Sequence, residues 1–344
     1  MKVIDVEEFL QKRHHMPVVD VRSPGEYNKA HIPGAYNIPL FDNDQRKRVG
    51  IAYHQHGRQE AVMEGLRIVG PRMESLADEA RNLAGDQRSL VVHCWRGGMR
   101  SESMAWLFDK LGLVTYVLKG GYKAYRRYCR PMLKQPACII VLGGYTGSGK
   151  TDILKSLKEQ GQQVLDLEGL ACHKGSAFGS MGQTEQPSTE HFENRLFDEW
   201  LKMDLERPVW IEDESKMIGK CGIPDELFHA MRRAPVVKIE LDRSLRVERL
   251  VEEYAVFDRE KLKGAISRIR KRLGGDRARQ AMEAVDEGDF HSAADISLDY
   301  YDKAYLHGLG KRDPSRIHSL AIDRDDPNHT ARLLIEKAFH FQPS

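Results

Sequence analysis

Cysteine is scarce in this chain: five in 344 residues, none at paired or zinc-like spacing. That argues against a disulfide scaffold or a structural zinc site and fits a reducing cytoplasm. No run approaches the roughly 18 apolar residues of a membrane span. The opening Met1-Lys2-Val3-Ile4-Asp5 has no apolar stretch of the signal-peptide kind. A cytoplasmic chain with no membrane partner is therefore expected. Internal repeats are absent. Charge of one sign is missing too: the net charge of +2 is too small to mark a nucleic-acid binder by itself, so any such role falls to local clusters.

The hydrophobic share of 41% and charged share of 30% suit an ordinary globular chain, and the length suits two domains. Up to about residue 130, short apolar runs alternate with helical patterns. Val18-Val19-Asp20-Val21, Ser89-Leu90-Val91-Val92-His93 and Val114 to Leu118 read as strands. Ser101 to Leu111 has helical apolar spacing, and Gly112 can end it. This is the rhythm of a mainly parallel α/β sheet. A basic helical stretch, Tyr122 to Lys134, is broken by Pro131 and Pro136, and the boundary is set there: 1–133 and 134–344. Beyond it Cys138 to Leu142, Val164 to Leu167, Val209 to Glu212 and Val236 to Glu240 read as strands of a second sheet. From about Leu245 the pattern is mostly helical and highly charged.

His93-Cys94-Trp95-Arg96-Gly97-Gly98-Met99-Arg100-Ser101 joins a strand to a helix. The free N–H groups of a first helical turn, with Arg96, Gly97 and Gly98 curling the loop, make an anion nest. A cysteine there has a lowered pKa and serves as a nucleophile, and Arg100 can grip an oxyanion. A lone cysteine after a strand is more often a buried structural thiol; the glycines, arginines and helix start favour the reactive reading. Cys129, Cys138, Cys172 and Cys221 lack that setting, Cys172 being the least certain.

Gly144-Tyr145-Thr146-Gly147-Ser148-Gly149-Lys150-Thr151 matches G-x-x-x-x-G-K-[ST] in full, with a strand before it and a helix after. Such a loop cradles a diphosphate on its backbone amides, with Lys150 neutralising charge and Thr151 ligating Mg²⁺. A second metal contact is expected where a strand ends in acids. Asp213 is the candidate, Glu214 the next, and Asp166 and Glu168 are weaker ones; the competing reading is an exposed acidic strand end. Cys172 to Ser188 reads as a binding loop or lid.

Lys123, Arg126, Arg127 and Arg130 lie in a stretch without one acid, interleaved with Tyr122, Tyr125 and Tyr128. Arg268, Arg270, Lys271 and Arg272 cluster before Gly274-Gly275. Each segment alone reads more readily as a solvated helix face. Two of them together favour contacts to RNA phosphates, with the tyrosines stacking on unpaired bases.

Asp20-Val21-Arg22-Ser23-Pro24-Gly25-Glu26-Tyr27, His31-Ile32-Pro33-Gly34-Ala35 and Asn37-Ile38-Pro39 resemble the N-terminal signature of rhodanese domains, and Leu118-Lys119-Gly120-Gly121 resembles their closing signature. The resemblance implies scaffold roles for Asp20, Arg22, Glu26 and His31, and a sulfur-carrying role for the loop cysteine. Five residues separate Cys94 from Arg100, the Cys-x5-Arg spacing of protein tyrosine phosphatases. Considered alone, this domain keeps a phosphatase reading open. The fusion to a P-loop, with Gly169 to Ser176 and Tyr300-Tyr301-Asp302, resembles the tRNA 2-selenouridine synthase family over essentially the whole chain.

That resemblance implies a rhodanese-like domain followed by a P-loop domain with a helical C-terminal part. It implies exchange at the anticodon wobble uridine of tRNA: alkylation of 2-thiouridine by geranyl diphosphate, then displacement by selenium from selenophosphate. A selenophosphate-supplying enzyme is an implied partner, and no tightly bound organic cofactor is expected. Two other classes stay open: a rhodanese-fold phosphatase fused to a small-molecule kinase, and a noncatalytic RNA-binding regulator.

Overall fold

Five short strands, β1 (Lys2–Ile4), β2 (Val18–Asp20), β3 (Ala35–Asn37), β4 (Ser89–His93) and β5 (Val114–Leu118), form one sheet in the order β1-β5-β4-β2-β3. All its pairings are parallel. Parallel strands need crossovers that cover the faces, so the middle of the central strand is apolar. Leu90, Val91 and Val92 of β4 are fully buried. The connections hold α1 (Val6–Lys12), α2 (Pro24–Lys29), α3 (Asn43–Val69), α4 (Met73–Ala84), α5 (Met99–Lys110) and α6 (Gly121–Met132). Ser23 and Glu26 form a reciprocal capping box at the start of α2, and Gly57 interrupts the helical backbone inside α3. The core packs Leu76, Leu90, Val92, Met104 and Phe108 together.

This computed structural model describes residues 1–341. The chain divides into two units, Met1–Leu133 and a second that begins at Lys134. In the second, β6 (Ile139–Gly144), β7 (Gln163–Leu165), β8 (Val209–Glu212), β11 (Val236–Glu240) and β12 (Ile317–Ala321) form a parallel sheet in the order β12-β11-β6-β8-β7. A small antiparallel ribbon pairs β9 (Met217–Ile218) with β10 (Cys221–Gly222). The helices are α7 (Lys150–Glu159), α8 (Leu167–Ala171), α9 (Thr189–Trp200), α10 (Asp225–Arg233), α11 (Arg243–Tyr254), α12 (Arg259–Leu273), α13 (Gly275–Glu287), α14 (Phe290–Leu309) and α15 (Pro327–Phe341).

The charged C-terminal region holds two cores. Leu334 and Ala338 of α15 join the sheet's core with Ile153 and Leu157 of α7. Leu262, Ile266, Ala281 and Val285 build a separate helical core from α12 and α13. That region is mostly helical, as its pattern predicts, and β12 within it extends the sheet beside β11. Pro131 does not break α6 but sits inside its last turn. Among the described residues, no helix is long and apolar enough to cross a membrane.

Candidate active sites

Cys94 follows the central strand β4, where the chain leaves the sheet for α5. Loops at the carboxyl ends of central parallel strands are the usual ligand sites of such sheets. The Cys94 side chain is buried, and its Sγ lies 3.3 Å from Ser101 Oγ and 4.0 Å from the Gly98 carbonyl. Burial pushes the thiol up. The Ser101 hydroxyl, the backbone of Gly98 and Arg96 and the charge of Arg100 outweigh it, so the pKa falls below the ordinary thiol value. Ser101 Oγ also donates to the Gly98 carbonyl at 2.9 Å. Its single proton thus has two acceptors, and a thiolate would draw it to sulfur.

The shape of the loop depends on two glycines from different elements. Gly97 adopts φ 64°, and a Cβ there would lie 2.5 Å from the Leu118 carbonyl oxygen. Gly121 adopts φ 57°, and a Cβ there would lie 2.3 Å from the Cys94 carbonyl oxygen. Loop and β5–α6 turn therefore touch backbone to backbone, which explains the closing glycines in physical terms. The Tyr122 and Lys123 amides donate to the Cys94 and Trp95 carbonyls at 2.9 and 3.0 Å.

Arg100 Nη1 donates to Glu26 Oε2 at 2.8 Å, so Glu26 positions the arginine beside the cysteine. Arg22 and Asp20 form a buried ion pair, Nη2 to Oδ2 at 2.6 Å, and the Arg22 guanidinium lies 4.0 Å from the Tyr122 ring centre. His31 stacks on Tyr27 at 3.9 Å.

The second site lies between β6 and α7. Gly147 and Gly149 have left-handed backbones, and Lys150 Nζ donates to the Gly144 and Tyr145 carbonyls at 3.0 and 3.3 Å. Ser148 Oγ is buried and has no hydrogen-bond partner among the described residues. A buried hydroxyl left open within the Gly144 to Thr151 loop fits an anion. Arg246 fixes the loop from α11. It donates to the Thr146 carbonyl at 3.2 Å and grips both Asp302 oxygens at 2.9 Å.

The acid within reach of Thr151 is Glu168, not Asp213. Thr151 Oγ1 donates to Glu168 Oε2 at 3.1 Å. The Asp213 carboxylate lines the same cavity, but Arg312 bonds it and Arg232 lies 3.9 Å away. Sequence order favoured Asp213; two arginines distant in the chain claim it instead. Glu168 and Glu214 hydrogen bond to each other. Burial raises both. Glu168 raises Glu214 further, whereas the hydrogen bond from Glu214 and the charge of Lys150 only partly offset the burial of Glu168. Glu212 is raised by burial with Asp166 and Glu168 beside it. Mg²⁺ commonly takes one or two carboxylates, keeps several waters and adds phosphate oxygens, so Thr151 with Glu168 and Glu214 suits it. Among the described residues no larger group of His, Cys, Asp and Glu is arranged as a metal site.

Of the basic residues, Lys123, Arg127 and Arg130 are exposed and Arg126 is half-buried. Tyr122 and Tyr125 are fully buried, against Trp95 and Phe9 respectively, so they cannot stack on bases. Tyr128 is half-buried and donates to Glu7 at 3.3 Å. On α12, Arg268 donates to the Ala177 carbonyl at 2.8 Å and Arg272 to the Tyr300 hydroxyl at 3.1 Å. Arg270 and Lys271 point to solvent. The role of Ser101 was not read from sequence, and its place one helical turn past the loop glycines is the signal available. Glu168 was read only as a weaker metal candidate behind Asp213 and Glu214, and it is the acid that bonds Thr151.

Residues 5–128 match the rhodanese-like domain family, and residues 137–324 match the family described as the tRNA 2-selenouridine synthase AAA domain. The tRNA 2-selenouridine synthase of Bordetella bronchiseptica is 35% identical over 85% of this chain and 88% of its own length. That of Bordetella petrii is 36% identical over 85% and 86%, and that of Hahella chejuensis 36% identical over 90% and 89%. With a cysteine cradle in one unit, a phosphate loop in the other and relatives of this identity along most of its length, the chain belongs to the tRNA 2-selenouridine synthase family.

Proposed function

We propose that the chain replaces the sulfur of wobble 2-thiouridine in tRNA with selenium through an S-geranyl intermediate. The observation that carries this reading is the pairing of two unlike cradles in a chain of this family, a depressed-pKa thiol and a phosphate loop with its lysine folded over it. In the first step the thiouridine sulfur bonds to the geranyl carbon and the carbon–oxygen bond to diphosphate breaks. Lys150, the Gly144 to Thr151 loop and the open Ser148 hydroxyl hold the leaving diphosphate. Mg²⁺ bound at Thr151, Glu168 and Glu214 would supply further neutralising charge there.

In the second step selenium bonds to the base carbon and geranyl thiol leaves; selenophosphate, with water, ends as phosphate. A thiocarbonyl sulfur leaves poorly and an alkylated one better, which gives the first step its purpose. Cys94 serves selenium delivery, with Arg100 and the Arg96, Gly97 and Gly98 backbone holding the oxyanion. The tRNA phosphates are assigned to Lys123, Arg126, Arg127 and Arg130 and to Arg270 and Lys271, with Arg268 and Arg272 shared with internal contacts. Purified protein, thiolated tRNA, geranyl diphosphate and selenophosphate should yield S-geranyl and then seleno nucleosides by mass spectrometry. Absence of both from a folded, tRNA-binding preparation refutes the reading.

A further inference from the structure

Arg249 of α11 reaches the phosphate loop from about a hundred residues further along the chain. Its guanidinium lies against Gly149: a Cβ built there would be 3.3 Å from Arg249 Nη1 and 3.4 Å from its Cζ. The side chain lines the same polar cavity as Lys150 and Thr151. Two carboxylates hold it there. Nη2 donates to Asp152 in the first turn of α7, and Nη1 donates at 2.6 Å to Asp325, in the turn between β12 and α15.

A clamp that joins α7, α11 and that turn accounts for the two pairings but not for their place. This one is set against the backbone of the loop that would hold phosphate. Arginine offers five N–H groups in a planar fork. The two aspartates use two of them, and Nε makes no hydrogen bond among the described residues. Asp152 has a second partner, because Lys155 Nζ donates to it at 3.0 Å, so it stays paired if the guanidinium turns away. Both aspartates are partly exposed, 40% for Asp152 and 30% for Asp325, and ion pairs of that exposure are weakly held. Two other cations line the cavity, Lys155 at 65% exposed and Lys174 at 34%, against 19% for Arg249.

We infer that Arg249 is a further catalytic residue of the phosphate loop: it leaves the two aspartates, bonds the diphosphate, and neutralises the charge that gathers there as the carbon–oxygen bond breaks. This rests on the proposed geranyl transfer and adds a residue to its first step. Lys150 acts as a point charge, whereas a guanidinium fork takes two oxygens at once. The charge on the diphosphate grows as the bond to carbon lengthens, so the arginine contributes more to the transition state than to the bound substrate.

The test is calorimetric titration of the full chain, in Mg²⁺, with inorganic diphosphate, beside steady-state geranyl transfer to thiolated tRNA. Arg249→Gln should bind diphosphate at least about tenfold more weakly. Its kcat for geranyl transfer should fall about a hundredfold, by more than KM rises. Arg249→Lys keeps the charge and loses the fork, and should recover part of both. Asp325→Asn releases the guanidinium and should tighten diphosphate about threefold. That gain should vanish in the double variant with Arg249→Gln and shrink in the one with Arg249→Lys, which decides the matter if the glutamine variant does not fold. Unchanged affinity in folded Arg249→Gln makes the cluster a clamp only and overturns the inference. So does an Asp325→Asn gain that is absent, or one that survives whole in the double variants, since Asp325 would then act through its own charge. Failure of the wild type to alkylate thiolated tRNA is the separate outcome that removes the functional reading beneath, and the titrations still decide whether Arg249 holds diphosphate.

Discussion

Glu26 and Arg100 meet at 2.8 Å across 74 residues of sequence. The contact spends one Nη of the guanidinium and orients the rest beside Cys94. Glu26 is itself held below the usual carboxylate range: burial raises it, but Arg100 and the Ser23 amide more than offset that. Glu26→Gln should raise the KM for selenophosphate on the order of tenfold, because the arginine loses a charged anchor. Alkylation of Cys94 by iodoacetamide should proceed nearly as in the wild type. An unchanged KM would make Glu26 a fold residue only.

The two cradles should separate by step. Cys94→Ser replaces a thiolate with a hydroxyl that stays protonated at neutral pH, so it should accumulate S-geranyl tRNA and form no selenouridine. Lys150→Ala should lose geranyl transfer by at least about a hundredfold yet still selenate supplied S-geranyl tRNA. Nucleoside mass spectrometry reads both. Loss of both steps in a folded, tRNA-binding Lys150→Ala protein would overturn the assignment of one step to each unit.

The thiol supplies a pH test. Because its pKa is lowered, the reactive thiolate persists to lower pH than an ordinary cysteine's, and reactivity falls only as pH drops through that lowered value. Ser101→Ala removes the leading stabiliser of the thiolate. The midpoint of the iodoacetamide rate against pH should move up by about one unit. A midpoint that stays or falls would mean that Ser101 accepts from the thiol and does not donate to the thiolate.

Glu214 gives the opposite sign. Its folded pKa is raised, as is that of Glu168, so the stability they contribute is present below the unfolded carboxyl pKa and is lost as pH rises through the folded values. Glu214→Gln should therefore raise Tm at pH 8 in the absence of Mg²⁺, and by less at pH 5. It should also weaken any Mg²⁺-dependent gain in Tm. Equal effects at both pH values would show that the pair is already ionised at pH 5.

Arg270 and Lys271 carry the salt test. The double alanine variant should reduce the slope of log affinity for tRNA against log salt by about one to two units. An unchanged slope returns α12 to a solvated face and leaves the exposed α6 residues Lys123, Arg127 and Arg130 as the next to vary.

The strands legible in sequence, among them Val18–Asp20, Ser89–His93, Ile139–Gly144 and Val209–Glu212, are marked by runs of buried apolar residues. Strand β12, Ile317–Ala321, was not: it is an edge strand with His318 and Ser319 in its middle, amid charged sequence. The cradles were legible because each is a local motif, but their supports are not local. Glu168 reaches Thr151 from 17 residues on, and Arg312 reaches Asp213 from 99. In α6 the rule applied to Tyr122 and Tyr125 was the wrong one. With Cys129 they recur at i, i+3 and i+7, the stripe that faces a core, and that stripe outweighs the basic residues between them.

The glycine contacts of Gly97 and Gly121 bear on how this loop can be engineered or exchanged. Neither half is a portable cassette. A Cys94 loop transplanted into another parallel sheet would collapse onto, or be propped open by, whatever turn follows the next strand. A graft that carries Leu118 to Gly121 along with His93 to Ser101 moves the whole mould, and only such a paired transfer should carry the thiol's reactivity into a new host.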